Sequence, residues 1–373
     1  MFFMIWVNDF PTLTDIPKWL EHAPPGEDYI GFSDLIFPLF LFVVGLSIPF
    51  AIQHRQAIAA GLLSTGKHII FRTLSLLIIG VYIVNYEVAR DGGNTIVFGV
   101  YWWCFLMALG VVLVWIDWKK SVVAATWHLP LRGVGILLLL FLAFSYAGGA
   151  DGETGMSSHW WGILGLIGWA YLANALAVLV SRSNLPVNIG IFVVFNLLTV
   201  LNFAGLLDGA PDFIALFGTI YQGFIPAFTS AGVVTALMLQ RLRTEHPHRV
   251  VPFLLLFAAL SAGYGFVMKP YFWMVYKLGV SVGFSLLAFA AVYWIVELKA
   301  RSAWAKPISA AGTATLTCYM IPYFVYPLRS VSDFRFPDFM NRGLVGLIVS
   351  LVFAYLVVYV ADKLERKGLR LRL

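Results

Sequence analysis

Charged residues are scarce in this 373-residue chain: they make up 12% of it, whereas hydrophobic residues make up 60%. A soluble globular protein normally carries about twice this charged fraction, so the composition excludes that class. Cysteine is nearly absent too, with only Cys104 and Cys318, both inside apolar runs. Two such residues provide neither a disulfide framework nor a metal cage, and no metal is implied. The mean hydropathy of +0.85 instead indicates a protein with many membrane-spanning segments.

The sequence also lacks polar linkers, low-complexity tracts and inserts long enough to form a soluble domain. HExxH zinc helices and paired CxxC sites are missing as well. We therefore predict a single transmembrane domain that covers residues 1–373.

Apolar stretches of about 20 residues can cross the ~30 Å hydrocarbon core of a bilayer as helices. Residues 1–10 cover only about half of that thickness, and we expect them to form the outer half of a further helix. No basic segment precedes them, which argues against a cleavable signal peptide. The predicted fold class is an all-α polytopic membrane protein, one helical bundle with this partial N-terminal helix and eleven full spans: residues 29–52, 69–87, 97–116, 133–147, 160–181, 188–206, 224–240, 251–268, 278–298, 307–328 and 342–361.

The basic residues predict the orientation of these spans. If residues 1–10 point outward, seven of the 25 Lys and Arg residues are on the outer side, and the other 18 are in or near the alternate loops and the C-terminal tail. The positive-inside rule makes those loops cytoplasmic. The formal net charge of +6 is therefore a signal of topology, and no nucleic-acid partner is predicted.

His22 and Asp34 flank the Pro24-Pro25-Gly26 turn at the outer mouth of the first full span. Such a turn can bring an imidazole and a carboxylate together, and the acid would then orient the ring for proton transfer or attack on an acyl carbon. The alternatives are that His22 is a solvated surface residue and that Asp34 caps its helix.

Two other outer positions carry polar groups. Asn8 ends the first short helix, where its amide can donate to a developing oxyanion or close a turn, and a turn role is expected for the neighbouring Asp9. His159 is the second outward-facing histidine, and the adjacent tryptophans indicate a membrane-interface role for it. Outer aromatic residues could stack on a sugar ring, although interfacial anchoring is the simpler interpretation: Tyr271, Trp273, Tyr323 and Tyr326.

Three N-terminal motifs, MFFMIWVND (1–9), WLEHAPP (19–25) and GFSDLIFPLFLFVVGLSI (31–48), resemble the signature of the transmembrane heparan-α-glucosaminide N-acetyltransferase family and its bacterial relatives. Weaker similarities to the same family at residues 67–85, 157–171 and 311–324 extend the resemblance over most of the chain. It implies acetyl transfer from cytoplasmic acetyl-CoA to the amino group of a terminal amino sugar outside a bacterial inner membrane. His22 then matches the catalytic histidine, Asp34 the carboxylate of the DLxFP motif, and Asn8 the asparagine ending the first helix.

The chain departs from this family in two places. The basic and acidic stretch that normally precedes the first helix is missing, and we expect the native start to lie about one or two dozen residues upstream. The segment VFGVYWWCFLMALG at 97–110 lacks a glutamine-arginine pair that relatives often carry. Some contacts with acetyl-CoA or the acceptor are therefore expected to differ.

Acetyl-CoA is a donor substrate whose phosphates suit basic residues near the cytoplasmic ends of helices. Arg55, Lys67 and Arg72 flank two consecutive spans and are the candidates, with Arg72 about one turn inside an apolar run. The alternative for each is the ordinary positive-inside bias.

Two other functions stay open at this point. A proton-coupled transporter or flippase of sugars or lipid-linked sugars would use His22 and Asp34 as a proton-binding pair, with Pro226, Pro322 and Pro327 breaking helices. The third is a scaffold without catalytic activity. The sequence leaves open the acceptor, N- or O-acetylation, a covalent or direct mechanism, and whether the protein forms a homodimer in the lipid bilayer.

Overall fold

The computed structural model describes residues 1–24, 26–57, 61–92, 99–148, 152–209, 211 and 217–373. Within these ranges the regular secondary structure is helical, and the only strand-like pairings are isolated β-bridges. The α-helices are α1 (Phe2–Asp9), α2 (Phe32–Ala57), α3 (Leu62–Gly92), α4 (Val100–Trp115), α5 (His128–Phe144), α6 (Ile163–Val180), α7 (Leu185–Phe203), α8 (Gly218–Tyr221), α9 (Phe224–Glu245), α10 (Val250–Met268), α11 (Trp273–Tyr293), α12 (Ala310–Thr313), α13 (Thr315–Met320), α14 (Pro322–Val331) and α15 (Gly343–Arg366). This confirms the all-α prediction.

Nine helical segments in the described residues are long and apolar enough to cross a membrane, and they match nine of the eleven predicted spans. Helices suit this environment because they satisfy their backbone hydrogen bonds internally. The chain therefore has the fold of an integral, polytopic membrane protein. The nine segments are Phe32–Ala57, Leu62–Arg90, Ala125–Phe144, Ile163–Val180, Leu185–Phe203, Phe224–Glu245, Pro247–Met268, Trp273–Leu298 and Gly343–Arg366.

The helices at the other two predicted spans are shorter. At 97–116 the described helix is α4, of 16 residues. The predicted span 307–328 is divided among α12, α13 and α14, so the prediction of one uninterrupted helix was wrong there. Ala314 leaves the helical region with φ −114° and ψ 42°, and Pro322, which has no N–H to donate, begins α14.

The chain divides into two compact units. The first unit consists of Met1–Glu21, Ile78–Gly162 and Ala303–Leu373, and the second of His22–Leu77 and Ile163–Ser302. A buried cluster within the first unit joins Ile5 of α1 to Ala310, Cys318 and Val357. Because segments of the two units alternate along the sequence, the prediction of one transmembrane domain stays a prediction.

Close backbone packing within the second unit holds α2 in place. A Cβ atom on Gly45 would lie 1.9 Å from the carbonyl oxygen of Thr229, and one on Gly232 would lie 2.0 Å from that of Phe42. Small residues allow membrane helices to approach this closely. Phe42 also contacts Phe289 of α11, with ring centroids 6.3 Å apart. These contacts fix the helix whose first turn carries Asp34.

Candidate active site

His22 and Asp34 form a hydrogen-bonded pair at the beginning of α2. Nδ1 of His22 lies 2.9 Å from Oδ1 of Asp34. The side chain of His22 is 65% exposed, whereas that of Asp34 is only 15% exposed. The structure thus brings together two side chains that the sequence separates by twelve positions, and it leaves the ring open to solutes.

The second oxygen of Asp34 organises the loop that carries His22. Oδ2 accepts the backbone N–H of Ala23 at 3.1 Å and that of Gly31 at 3.0 Å. Gly26 has φ +92°, a conformation that favours glycine, whereas its neighbour Pro25 lies outside the described residues. Asp34 therefore holds the loop 23–31 at both ends. The two roles considered for this residue, orienting His22 and stabilising the start of the helix, are divided between its two oxygen atoms.

The hydrogen bond to Asp34 determines which nitrogen of the His22 imidazole carries the proton. When Nδ1 carries the proton and donates it to Oδ1 of Asp34, Nε2 presents its lone pair. Nε2 has no hydrogen-bond partner among the described residues. A partly buried carboxylate that accepts three hydrogen bonds would also stabilise the imidazolium formed when Nε2 takes a proton. The pair can therefore act as a general base or as a nucleophile.

A second contact anchors the middle of the same loop. Oδ1 of Asp28 lies 2.9 Å from Nζ of Lys269, in the turn between α10 and α11. The Lys269 ammonium also lies 5.0 Å from the ring centroid of Tyr276 and 5.5 Å from that of Trp273. The hydrogen bond from Lys269 to Asp28 raises the pKa of the lysine above its ordinary value. The loop is thus tied to its own helix by Asp34 and to the α10–α11 turn by Asp28.

Asn8 lies in the other compact unit, exposed in the last turn of α1. Its neighbour Asp9 is the buried member of this polar pair, at 7% exposure. Oδ1 of Asp9 accepts the hydroxyl hydrogen bond of Tyr326 at 2.8 Å, and the Asp9 carbonyl accepts that of Thr12 at the same distance. The turn role expected for Asp9 is present, but its hydrogen bond with Tyr326, 317 positions away, was not predicted.

The three candidate residues for the acetyl-CoA phosphates do not share one face of the second unit. The guanidinium of Arg72 lies 4.7 Å from the ring centroid of Tyr171, and its Nε is buried without a hydrogen-bond partner among the described residues. Arg55 and Arg72 both interact electrostatically with Tyr171. Lys67 is five positions before Arg72 on α3, about 140° around the helix. It lines an apolar groove of about 720 Å³ together with Leu62, Leu63, Gly66, Ile70, Phe71 and Leu74.

Two segments have spacings that resemble known motifs, but the structure gives them a different context. Residues 61–68 read GLLSTGKH, which resembles a phosphate-binding loop, yet His68 replaces the usual hydroxyl residue and the chain is already helical from Leu62. Residues 279–283 read GVSVG, the spacing of a hydrolase nucleophile. Ser281 is nevertheless buried within α11, where Gly279 packs on the backbone of Gly265. A nucleophile elbow needs a strand-to-helix turn, and a phosphate-binding loop needs a loop before its helix. Neither segment therefore forms the site that its spacing suggests.

Comparison with protein-family models gives no match, and comparison with curated proteins gives none either. The resemblance carried by the N-terminal motifs therefore stays a prediction, and the hydrogen-bonded pair of His22 and Asp34 is the feature from which a function can be argued.

Proposed function

We propose that this protein is a transmembrane acetyltransferase that transfers the acetyl group of cytoplasmic acetyl-CoA to an amino sugar on the outer side of a bacterial inner membrane. The observation that supports it most is the His22–Asp34 pair, with Nδ1 and Oδ1 at 2.9 Å and Oδ2 held by two backbone amides. A surface histidine needs no partly buried carboxylate that is hydrogen-bonded through both of its oxygen atoms. An acid-base or nucleophilic imidazole does, because the carboxylate fixes its orientation and stabilises its positive charge.

In the direct route, the nitrogen of the acceptor amine attacks the thioester carbonyl while Nε2 of His22 takes a proton from that amine. The carbon–sulfur bond then breaks, and the thiolate of coenzyme A takes up a proton as it leaves. In the covalent route, Nε2 attacks the carbonyl itself, forms an acetyl-imidazole with release of the thiol, and passes the acetyl group to the amine. Asp34 has the same role in both routes.

Labelled acetyl-CoA distinguishes the two routes. Incubated with the protein in the absence of acceptor, it leaves a labelled acetyl group on His22 if the covalent route operates. A protein that stays unlabelled under conditions in which it acetylates an added amine uses the direct route.

The donor would bind with its phosphates at the cytoplasmic face. Arg72 supports this part of the proposal because its guanidinium lies over the Tyr171 ring and its Nε is a buried donor with no partner among the described residues. The charge of Arg55 acts electrostatically on the same tyrosine. A guanidinium is well suited to phosphate, which it can bind through two hydrogen bonds.

The test uses the purified full chain in nanodiscs, with labelled acetyl-CoA and methyl glucosaminide as the acceptor. Appearance of the N-acetylated sugar supports the proposal. A folded protein that transfers no acetyl group to amine or hydroxyl acceptors overturns it.

The orientation of the protein in the membrane can be tested by replacing two serines with cysteine. The native Cys104 and Cys318 are buried and should therefore react little with a maleimide. Ser158 and Ser302 are exposed and lie in predicted outer and cytoplasmic loops, respectively. A membrane-impermeant maleimide should label Ser158→Cys in intact cells and Ser302→Cys only after the membrane is opened. The reverse pattern would place His22 on the cytoplasmic side.

One observation favours a second candidate, a proton-coupled transporter or flippase of sugars. The helical segment from Ala310 to Val331 is interrupted at Ala314, and discontinuous helices form the substrate sites of many transporters. The same nanodisc preparation separates the two, because only the enzyme cleaves the thioester. A transporter would instead move labelled glucosamine into proteoliposomes without acetyl-CoA.

A further inference from the structure

Lys277 is a cation placed where a charge is costly. It lies in the second turn of α11, inside a candidate membrane span, and its side chain is half-buried. Its Nζ lies 5.8 Å from the ring centroid of Trp273, and no carboxylate within ion-pair distance is found for it among the described residues. An ammonium at such a position normally has a partner or faces a substrate pathway.

Lys277 is close to the candidate active site. Helix α11 packs against α2 within the second unit, and the charge of Lys277 interacts electrostatically with Asp34. No ion pair joins Lys277 to Asp34, whose two oxygen atoms accept hydrogen bonds from His22, Ala23 and Gly31. The ammonium of Lys277 is thus close enough to the His22–Asp34 pair to act on it electrostatically, without an ion-pair partner among the described residues.

Lys269 provides the contrast. It lies eight positions earlier, contacts the same Trp273 ring, and is neutralised by Asp28 at 2.9 Å. Two lysines thus approach one aromatic ring, and of the two only Lys269 has an ion-pair partner among the described residues. Lys277 is therefore available to an anionic group of a bound ligand.

We propose that Lys277 binds a negatively charged group, a phosphate or a carboxylate, of the amino-sugar acceptor. This inference rests on the proposed acetyl transfer to an amino sugar. The group belongs to the acceptor because the phosphates of acetyl-CoA are placed at the opposite, cytoplasmic face.

The experiment measures how strongly the enzyme prefers a charged acceptor. In nanodiscs of zwitterionic lipid, kcat/KM is determined for glucosamine 1-phosphate, for a uronate-linked glucosamine disaccharide and for neutral methyl glucosaminide. The two anionic acceptors separate phosphate from carboxylate, and a preference for either one over the neutral sugar supports the subsite. In Lys277→Gln this preference should fall about tenfold, since a hydrogen bond to a charged group is lost.

Two further variants show that the effect belongs to the charge of Lys277. Lys277→Arg keeps the charge and should keep the preference, and Lys18→Gln, which removes an exposed lysine of a predicted outer loop, should leave the ratio unchanged. The proposal is overturned if Lys277→Gln retains the wild-type ratio, as expected for a lysine that serves only a lipid phosphate, or if Lys18→Gln lowers the ratio equally.

If the wild-type protein acetylates none of the sugars, the proposed function fails, but the subsite is still tested by equilibrium binding. Glucosamine 1-phosphate should then bind Lys277→Gln about tenfold more weakly than the wild type. Equal binding to the two proteins would overturn the subsite by itself.

Discussion

Asp34 accepts the backbone N–H of Gly31 at 3.0 Å through the carboxylate oxygen that does not contact His22. One side chain thus shapes the loop and orients the ring, and the two contributions can be separated by substitution. The loop contribution should appear as a change in stability, and the ring contribution as a change in turnover.

Asp34→Asn is expected to lower kcat about 100-fold while the protein stays folded. The amide oxygen can still accept the loop N–H groups, but its NH2 group would face Nδ1 of His22. The imidazole would then carry its proton on Nε2, where it can no longer act as a base. Activity assays and thermal melts of one preparation check this.

Asp34→Ala serves as the comparison for that variant. It should lose the same activity and also about 1–3 kcal/mol of stability, because the amides of Ala23 and Gly31 lose their acceptor. Near-normal turnover in Asp34→Asn would show that the carboxylate serves the helix alone.

Arg72→Gln and Arg55→Gln should each raise the KM for acetyl-CoA about tenfold without changing the KM for the sugar, since a charged contact with phosphate is lost. Lys67→Gln should raise the KM for acetyl-CoA less, because Lys67 lies on another face of α3. Steady-state kinetics with each substrate varied in turn measures both constants. An equal effect of all three substitutions would indicate long-range attraction of the donor instead of a site beside Tyr171.

Gly45→Ala should destabilise the protein by about 1–3 kcal/mol, because a methyl group at 1.9 Å from the Thr229 carbonyl forces α2 and α9 apart. Gly263→Ala is the matched control. It lies in α10 of the same unit, and a Cβ there would meet no atom within 4 Å. Thermal unfolding in detergent compares the two variants. Equal melting temperatures would contradict the close approach of α2 and α9.

The Asp28–Lys269 pair predicts a specific pH dependence. Its hydrogen bond raises the pKa of Lys269 above the ordinary 10.5, so the stabilisation is complete below that pH and is lost as the pH rises through the raised pKa. The melting temperatures of the wild type and Lys269→Gln should differ by a constant amount between about pH 7 and pH 9, and converge as the pH rises through the raised pKa of Lys269. A difference that does not shrink over this rise in pH would exclude the ion pair as its source.

Much of the fold could be predicted because a stretch of about 20 consecutive apolar residues is enough to indicate a membrane helix. The interruption at Ala314 was missed because that window is equally apolar whether or not its helix is continuous. The pairing of His22 with Asp34 was predictable since one turn joins them. The Asp9–Tyr326 and Asp28–Lys269 contacts were not, because they join residues 317 and 241 positions apart through tertiary packing. The positions of Lys67 and Arg72 on different faces of α3 could not be predicted either, because they depend on which face of α3 packs on α6.

The central claim, that the His22 imidazole performs acetyl transfer, is tested most directly by thiol release from acetyl-CoA in the presence of methyl glucosaminide. His22→Ala should lower the rate at least about 100-fold at an unchanged melting temperature. His159→Ala, which removes the other histidine predicted to face outward, should retain the wild-type rate. A His22→Ala protein that releases the thiol at the wild-type rate would contradict the account.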